Sequence, residues 1–414
     1  MTQTCRPQTC RHCQAPLTRR FLDLGYAPPS NAYLAPEALN APEMTWPLRL
    51  SVCGTCFLVQ TEDFTAAEAL FDAEYAYFSS TSKSWLDHAA RYAAMVTARF
   101  GLTAASHVIE VAANDGYLLR NFVAAGIPCL GVEPTASTAA VAEAQGIPVR
   151  RAFFGQAMAE GLVAEGLAAD LVAGNNVYAH VPDINDFTRG LAAVLKPEGV
   201  VTLEFPHLMR LIEFCQFDTV YHEHFSYLSL GTTERIFAAA GLRIFDVQEL
   251  PTHGGSLRVY GCRMGASHPQ SPAVAALLAE EQARGMNSLS GYESFQPRAD
   301  AVKNGFLRFL LQAKAEGKTV AAYGAAAKGN TLLNYAGVKP DLLPFVCDAA
   351  PSKQGKLMPG SHIPILPPEA LNSSPPDYVV ILPWNIAAEV RAQLAPLAAQ
   401  GTRFVTAVPE LVVS

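Results

Sequence analysis

The amino-acid sequence predicts an α/β protein with two mostly parallel sheets flanked by helices and a small cysteine-rich module at the N-terminus. Apolar, strand-length segments alternate with alanine-rich helical stretches from about residue 70 to 265, and again after the Ser/Pro/Gly-rich segment "GASHPQSP". Such alternation is typical of parallel sheets whose crossover helices cover both faces. We therefore expect three domains, at residues 1–68, 69–265 and 266–414. A helical stretch is expected over residues 273–315.

The chain of 414 residues has the composition of a globular enzyme, with 50% hydrophobic and 16% charged residues. This balance excludes a disordered chain, and the length exceeds what one ordinary core accommodates. The formal net charge is −7 and no block of Lys or Arg stands out, so we expect no nucleic-acid partner. The polar N-terminus and the strand-length apolar runs predict a cytoplasmic protein that does not bind membranes.

Four of the nine cysteines form two C-x-x-C pairs, "CRHC" with Cys10 and Cys13 and "CGTC" with Cys53 and Cys56. Two intervening residues let both thiolates of a tight turn face one ion, and two such turns complete a tetrahedron around zinc. Because four thiolates leave no open coordination position, we expect one structural zinc per chain, with a hairpin or loop inserted between the pairs. Free thiols are the alternative, and Cys5 is a weaker candidate ligand. The other cysteines are expected in the core: Cys129, Cys215, Cys262 and Cys347.

The segment "HVIEVAANDGYLLRNF" predicts a strand, a short polar turn and a helix. Glu110 lies in the strand, and Asn114, Asp115 and Gly116 form the turn. Such a turn presents backbone N–H groups at the edge of the sheet where nucleoside ligands bind. The segment lacks G-x-G-x-x-G, and alanines stand where a pyrophosphate requires glycines. The turn therefore disfavours NAD and indicates a cofactor without phosphates.

Two further strand ends extend this candidate cofactor site. Glu133 follows the next strand, in "CLGVEP", where a carboxylate can accept hydrogen bonds from both hydroxyls of a ribose. Asn175 and Asn176 end a third strand, and their amides suit an adenine edge or the amino-acid tail of a sulfonium ligand. Turn formation is the alternative role for the two asparagines. The turn, the acid and the asparagine pair, in this order, predict S-adenosylmethionine as the cofactor.

The segment "TVYHEHFSY", residues 219–227, concentrates two histidines around a glutamate. A zinc protease needs H-E-x-x-H on a helix, with its histidines four positions apart. Here the second histidine is only two positions after the first, so the sequence excludes a zinc-protease site. On an extended strand His222 and His224 would share one face, with Tyr221 and Glu223 on the other. On a turn no such parity holds, and the sequence leaves both conformations open.

Taken in order, these segments resemble the sugar C-methyltransferases of deoxysugar biosynthesis, which act at C-3 of dTDP-4-keto sugars. The likeness extends over nearly the whole chain. It rests on the two cysteine pairs and on "EYAYFSSTSKSWLDHA", "VIEVAANDGYLLRNF", "GNNVYAHVPDINDF", "FDTVYHEHFSYLSL", "HGGSLRVY" and "YGAAAKGNTLLNYAG". It implies a monomer with a zinc module, a central Rossmann-like methyltransferase sheet that binds S-adenosylmethionine, and a C-terminal Rossmann-like α/β domain that binds the sugar nucleotide.

The resemblance also implies a reaction, in which a carbon beside a ketone loses a proton and the resulting enolate attacks an electrophilic methyl group. It assigns His224 as the base, with Tyr221, Glu223 and His222 in assisting positions. Imidazole titrates near neutral pH and suits the proton transfer, while a Tyr O–H or a second imidazole suits the enolate oxygen. The alternatives are methyl transfer to oxygen or nitrogen, and a zinc-organised binding protein without catalysis.

Further contacts are expected on both sides of this segment. Tyr75, in "EYAYFSS", is expected beside the cofactor, with aromatic packing as the alternative role. In "YGAAAKGN" the helix opening at Lys328 combines backbone N–H groups with an ammonium, which suits a diphosphate. Asp348 ends the following strand and is interpreted as a remnant of ribose binding without a second cofactor. The residues expected to contact the substrate are Tyr77, Ser79, His180, His253, Gly324, Lys328 and Asn330.

Overall fold

The computed structural model describes residues 8–62 and 78–414, so the predictions for Cys5, Tyr75 and Tyr77 lie outside the described residues. Three sheets organise the described chain and confirm the α/β prediction. The strands are β1 (Arg19–Ala27), β2 (Trp46–Val52), β3 (Val59–Thr61), β4 (Val108–Val111), β5 (Cys129–Val132), β6 (Val149–Arg150), β7 (Ala169–Asn175), β8 (Leu195–Pro206), β9 (Ser226–Tyr227), β10 (Leu242–Leu250), β11 (Ser256–Arg263), β12 (Val320–Tyr323), β13 (Val346–Cys347), β14 (Ile365–Leu366), β15 (Tyr378–Ile381), β16 (Arg403–Thr406) and β17 (Val412–Val413).

Helices connect most of these strands. They are α1 (Lys83–Phe100), α2 (Leu119–Ala124), α3 (Ala136–Ala144), α4 (Gln156–Ala164), α5 (Ile184–Val194), α6 (Leu208–Glu213), α7 (Leu230–Ala239), α8 (Pro272–Ala283), α9 (Phe295–Ala315), α10 (Ala327–Ala336), α11 (Glu369–Ser373), α12 (Ala387–Gln393) and α13 (Ala395–Ala398). Local sequence sets the ends of the longer ones: Ser82 caps α1 by accepting the Trp85 N–H, and Gly101 closes it at φ 62°. No helix in residues 8–62 and 78–414 is long and apolar enough to cross a membrane.

The N-terminal sheet has four antiparallel strands in the order β1–β2–β3–β9. Strands β1 and β2 form the hairpin that fills the interval between the two cysteine pairs, as the sequence allowed. The fourth strand, β9, comes from the histidine segment, with Tyr227 opposite Val59 and Ser226 opposite Gln60. The N-terminal sheet is therefore completed by chain that directly follows His224.

The central sheet has seven strands in the order β10–β11–β8–β7–β4–β5–β6. Its strands are parallel except β11, which runs antiparallel to both of its neighbours. Glu110 of β4 lies opposite Gly131 of β5 on one side and Ala173 of β7 on the other. The carboxyl ends of β5, β4 and β7 consequently meet at one edge, where ligands bind in open α/β sheets.

The C-terminal sheet has six strands in the order β14–β13–β12–β15–β16–β17, parallel except for the last pair. The continuous helical stretch predicted over residues 273–315 is wrong, because α8 and α9 are separate helices. Gly285, at φ 79°, and Gly291 approach so closely that a Cβ on Gly291 would lie 2.3 Å from the Gly285 carbonyl oxygen. The chain folds back between the helices at these two glycines.

Direct contacts join the three sheets. The Asn330 amide of α10 donates to the Ser30 carbonyl at 2.6 Å, and the Thr331 hydroxyl donates to the Val220 carbonyl at 2.8 Å. The Trp384 indole N–H donates to the Asp218 carboxylate at 2.7 Å. The C-terminal sheet thus packs against the N-terminal region and against the chain that leads into the histidine segment.

The four cysteines expected in the core are buried: Cys129, Cys215, Cys262 and Cys347.

Candidate active site

A cavity of about 620 Å³ opens at the carboxyl ends of β4, β5 and β7. Its wall contains Asn31 of the N-terminal region, Glu133 and His224 of the central region, and Lys328 and Lys353 of the C-terminal region. A volume of this size falls within the range of sites that enclose a small molecule. All three parts of the chain therefore contribute to one site.

Glu133 follows β5 at the cofactor end of the cavity and is only 5% exposed. Its carboxylate accepts the backbone N–H of Asn114 and the backbone N–H of Thr135, each at 2.9 Å. These two bonds fix the carboxylate beside the turn after β4. Because an ionised carboxylate can accept about four hydrogen bonds, capacity remains for ligand hydroxyls.

The turn after β4 adopts the sharp backbone that this site requires. Ala112 and Asn114 both take left-handed conformations, at φ 59° and φ 49°. The Asn114 amide oxygen accepts the Ser79 N–H at 3.0 Å, and the Asp115 carboxylate accepts the Ser80 N–H at 3.0 Å. These bonds bring Ser79, a predicted substrate contact, into the cavity wall together with Asn114.

Three predicted cofactor contacts lie behind the turn instead of in the cavity wall. Glu110 is fully buried in β4, and this burial raises the pKa of its carboxyl well above the ordinary value, although neighbouring Tyr117 lowers it. Gly116, at φ 79°, packs against Ile147, whose Cδ1 would lie 2.4 Å from an added Cβ. Asp115 is fully buried. In this structure these residues shape the turn.

Asn175 and Asn176 stand at the end of β7 and line the cavity. Asn175 is 7% exposed, and neither polar atom of its side chain has a hydrogen-bond partner among the described residues. Asn176, at φ 54°, donates its amide N–H to Nε2 of His253 at 2.9 Å. A buried amide without partners costs about 1–3 kcal/mol, so the Asn175 side chain favours a ligand with matching donors and acceptors.

His224 carries the group best suited to accept a proton. Its Nδ1 lies 2.9 Å from the Thr219 carbonyl oxygen, and since a carbonyl only accepts, Nδ1 holds the hydrogen and Nε2 holds the lone pair. Burial lowers the pKa of His224 well below its ordinary value. The imidazole is therefore neutral at neutral pH and can act as a base.

Polar and aromatic groups surround this imidazole. The ring centroids of Tyr221 and His180 lie 4.1 Å and 4.6 Å from that of His224. The Glu223 carboxylate accepts the Asn31 amide N–H at both oxygens, at 3.1 Å and 3.2 Å. All five residues line the cavity. Burial lowers the pKa of His180 to about 4, so this second imidazole is neutral as well.

Residues 221–224 form a turn, so the strand alternative for this segment is wrong. Tyr221, Glu223 and His224 all line the cavity, which a strand's alternation would not allow. His222 does not line it, and its ring lies against Trp46 with the centroids 6.2 Å apart. The structure therefore separates the two histidines, with one in the cavity wall and one against the N-terminal sheet.

Lys328 and His253 also line the cavity. The Lys328 ammonium donates to the Asn385 side-chain oxygen at 2.6 Å and lies 4.6 Å from the Trp384 ring centroid. Burial lowers the pKa of His253 to about 4, helped by the charge of Lys328. The other two predicted contacts of the C-terminal region, Gly324 and Asn330, pack against Pro383 and Ser30 and do not line the cavity.

Several wall residues were not predicted from the sequence, among them Asn31, Trp85 and Lys353. The Lys353 ammonium donates to the Ala325 carbonyl at 2.8 Å, beside the turn after β12. Asn31 reaches Glu223 across 192 positions of sequence. Neither residue belongs to a local motif, so no signal in the sequence singles them out.

The four predicted zinc ligands converge in the N-terminal module. All of their sulfur atoms lie within 4.8 Å of one another. Cys10 and Cys56 are 3.5 Å apart, and Cys13 and Cys53 are 3.4 Å apart, measured between sulfurs. Zinc–sulfur bonds of about 2.3 Å in a tetrahedron place the sulfurs about 3.8 Å apart, so the cluster fits one zinc ion. The four-thiolate prediction is confirmed.

Comparisons with known proteins agree with this architecture. Family models match three consecutive segments: a domain described as zinc binding (residues 10–71), a methyltransferase domain (85–247) and a C-methyltransferase C-terminal domain (251–409). The C-methyltransferase NovU of Streptomyces niveus is 35% identical over 401 residues, which covers 97% of this chain and 95% of NovU.

Likenesses to solved structures are partial. Magnesium protoporphyrin IX methyltransferase from Synechocystis PCC 6803, solved with bound SAM, is 15% identical; the match covers 43% of this chain and 79% of that one, with a TM-score of 0.33. An S-adenosylmethionine-dependent methyltransferase from Mesorhizobium loti is 17% identical over 43% of this chain and 100% of its own, with a TM-score of 0.34. At these TM-scores neither structure bears on the function.

Proposed function

The chain belongs to the S-adenosylmethionine-dependent C-methyltransferase family, and on that premise we propose that it methylates C-3 of a nucleotide-linked 4-keto-deoxysugar, with dTDP as the nucleotide. The observation that carries the proposal is the imidazole of His224, which lines a cavity shared by all three parts of the chain and is held through Nδ1 by the Thr219 carbonyl, so that Nε2 keeps the lone pair. O- or N-methylation remains the alternative for the same cofactor. The domain boundaries, the monomeric state and the cytoplasmic location stay predictions.

The residues present fit S-adenosylmethionine. The Glu133 carboxylate and the turn at Asn114 would hold the ribose, and the unpartnered Asn175 amide supplies a donor and an acceptor for another polar part of the ligand. When bound, this cofactor supplies an electrophilic methyl group. Lys328 and Lys353 place two ammoniums in the wall at the C-terminal region, which suits the diphosphate of a sugar nucleotide.

His224 accepts the proton in the proposed reaction. Nε2 takes the proton from the carbon beside the ketone, and the electron pair of the broken C–H bond forms the enolate, whose carbon is the nucleophile for the methyl group. The Thr219 carbonyl holds Nδ1–H throughout and fixes the ring orientation. Tyr221 and His180 supply hydrogen-bond donors near the enolate oxygen.

A panel of nucleotide-linked keto-sugars tests the proposal by mass spectrometry. With S-adenosylmethionine present, we expect a product heavier by one methyl group, carried on C-3, from a dTDP-4-keto-deoxysugar. His224→Gln should lower turnover about 100-fold or more while cofactor affinity in calorimetry stays within two-fold. His268→Gln, which alters a histidine at the opposite end of the central sheet, is the matched control and should retain activity. A methyl group found on oxygen or nitrogen would contradict the proposal.

A further inference from the structure

Arg11 lies between two zinc ligands, Cys10 and Cys13, but its side chain extends to the wall of the active site. One guanidinium nitrogen, Nη1, donates to the Pro182 carbonyl at 2.8 Å, and the other, Nη2, donates to the Thr61 carbonyl at 3.2 Å. The guanidinium also lies 5.3 Å from the centroid of the Phe225 ring. The residue thus joins the zinc-binding turn to two separate segments of backbone.

Both backbone segments connect to the chain around the proposed base. Pro182 lines the cavity two residues after His180, and the Thr61 N–H donates at 3.2 Å to the carbonyl of Phe225, which directly follows His224. The Phe225 N–H donates to the Ala179 carbonyl at 2.8 Å, so the segment of His180 and the segment of His224 are bonded to each other. Arg11 contacts this pair through Pro182 and Phe225 and does not itself line the cavity.

The zinc-binding turn fixes Arg11 in this position. Its backbone N–H donates to the Gln60 side-chain oxygen at 2.9 Å, and the Gln60 amide donates to the Cys10 sulfur at 3.3 Å. Gln60 is also paired with Ser226 in the N-terminal sheet. The Asn185 amide donates to the Arg11 carbonyl at 3.2 Å and joins the turn to the start of α5, which follows Pro182. A zinc ion bound here would hold the origin of the side chain rigid.

We propose that Arg11 is a positioning residue for proton abstraction: the zinc-binding turn, acting through the Arg11 guanidinium, sets the position of the His224 imidazole relative to the substrate. This inference rests on the proposed function. A planar guanidinium can donate to two carbonyls at a fixed separation, which an ammonium or an amide does not reproduce. Because a displacement of about 1 Å can cost about 100-fold in rate, loss of this brace is expected to slow the reaction without weakening binding.

The test compares Arg11→Gln, Arg11→Lys and Arg49→Gln with the wild-type protein. Arg49 lies in β2 of the N-terminal sheet, pairs with the Asp23 carboxylate at 3.1 Å and lies 5.7 Å from the Tyr26 ring centroid, so it is an arginine of the same module that has a cation–π contact but does not line the cavity. Zinc content, cofactor affinity and the melting temperature are measured for each protein. Solvent deuterium exchange at C-3 and methyl transfer are then measured at varied substrate concentrations.

We expect Arg11→Gln to keep one zinc per chain and cofactor affinity within two-fold, with KM little changed, while kcat and the exchange rate fall about 10- to 100-fold. Arg11→Lys should recover part of this loss, and Arg49→Gln should match the wild type. Exchange within two-fold of wild type in Arg11→Gln, or full activity in Arg11→Lys, would overturn the proposal. If Arg11→Gln fails to fold or bind zinc, Arg11→Lys decides alone. A wild-type protein that neither exchanges nor methylates would instead refute the proposed function.

Discussion

The edges of the central and C-terminal sheets use an acid in the same way. In the central sheet Glu133 follows β5. Its carboxylate accepts the N–H of Asn114, in the turn after β4, and the N–H of Thr135. In the C-terminal sheet Asp348 follows β13 and accepts the Ala325 N–H at 2.7 Å and the Ala350 N–H at 2.8 Å. Both acids therefore fix the turn beside them.

The two edges differ in what else meets the acid. The Lys353 ammonium lies 3.6 Å from the Asp348 carboxylate and contacts the same turn through the Ala325 carbonyl. Glu133 has no ion-pair partner among residues 8–62 and 78–414 and faces the cavity. A carboxylate that already pairs with an ammonium has less capacity to accept hydrogen bonds from a ligand hydroxyl. A strand-end acid therefore suits a nucleoside only where its carboxylate keeps hydrogen-bonding capacity that the protein does not use.

The largest expected difference is that low pH should destabilise the edge of the central sheet more than the edge of the C-terminal sheet. His180, His224 and His253 line the central edge, and burial lowers the pKa of each, to about 4 for His180 and His253. Below pH 6.5 the unfolded chain binds protons at these sites while the folded chain does not, so the free energy of unfolding falls as the pH falls from 6.5 to about 4. The loss should be on the order of 3 kcal/mol for each of His180 and His253.

Hydrogen exchange measured across this pH range locates the effect. Backbone amides of β4 and β7 should lose protection before those of β12, since the three histidines belong to the central edge. His253→Gln should flatten the dependence on pH. Equal stability at pH 6.5 and pH 4.5, or earlier opening of β12, would contradict the assignment of these neutral imidazoles.

Substituting Glu133 and Asp348 one at a time tests whether the two acids differ in their contribution to cofactor binding. Glu133→Gln should weaken S-adenosylmethionine binding about 10- to 100-fold, because hydrogen bonds to a charged acceptor contribute about 1.5–3 kcal/mol. Asp348→Asn, the matched control at the other edge, should leave cofactor affinity within two-fold. Calorimetry measures both. Similar losses for the two variants would mean that the edges are not functionally distinct.

Lys353 offers a smaller and more specific test. Lys353→Met should raise KM for the nucleotide sugar about ten-fold, since a charge-assisted contact to a phosphate is lost, and should leave cofactor affinity unchanged. Lys356→Met, which changes an exposed lysine three residues away, serves as the control. Steady-state kinetics with each substrate varied in turn distinguishes the two effects. A change in cofactor affinity with an unchanged KM for the nucleotide sugar would contradict a contact between Lys353 and the phosphates.

Local patterns in the sequence predicted the elements that act within one strand or turn. The zinc ligands follow from paired C-x-x-C spacing, and the sheet edge with Glu133 follows from alternating strands and strand-end polar residues. Glu110 and Gly116 stay predicted cofactor contacts, but the structure places both outside the cavity wall, because a motif does not show which side of a turn faces the cavity. The bonds from Asn31 to Glu223 and from Arg11 to Pro182 join distant parts of the chain, and such tertiary pairs leave no local pattern.

The proton transfer by His224 is tested most directly by deuterium exchange at C-3 of a dTDP-4-keto-deoxysugar in heavy water, followed by mass spectrometry with no methyl donor present. The wild-type protein should incorporate deuterium at C-3. His224→Gln should incorporate it at least about 100-fold more slowly, with substrate affinity retained. Undiminished exchange in His224→Gln would place the base elsewhere. Methylation by the wild-type protein without any exchange at C-3 would contradict the enolate route.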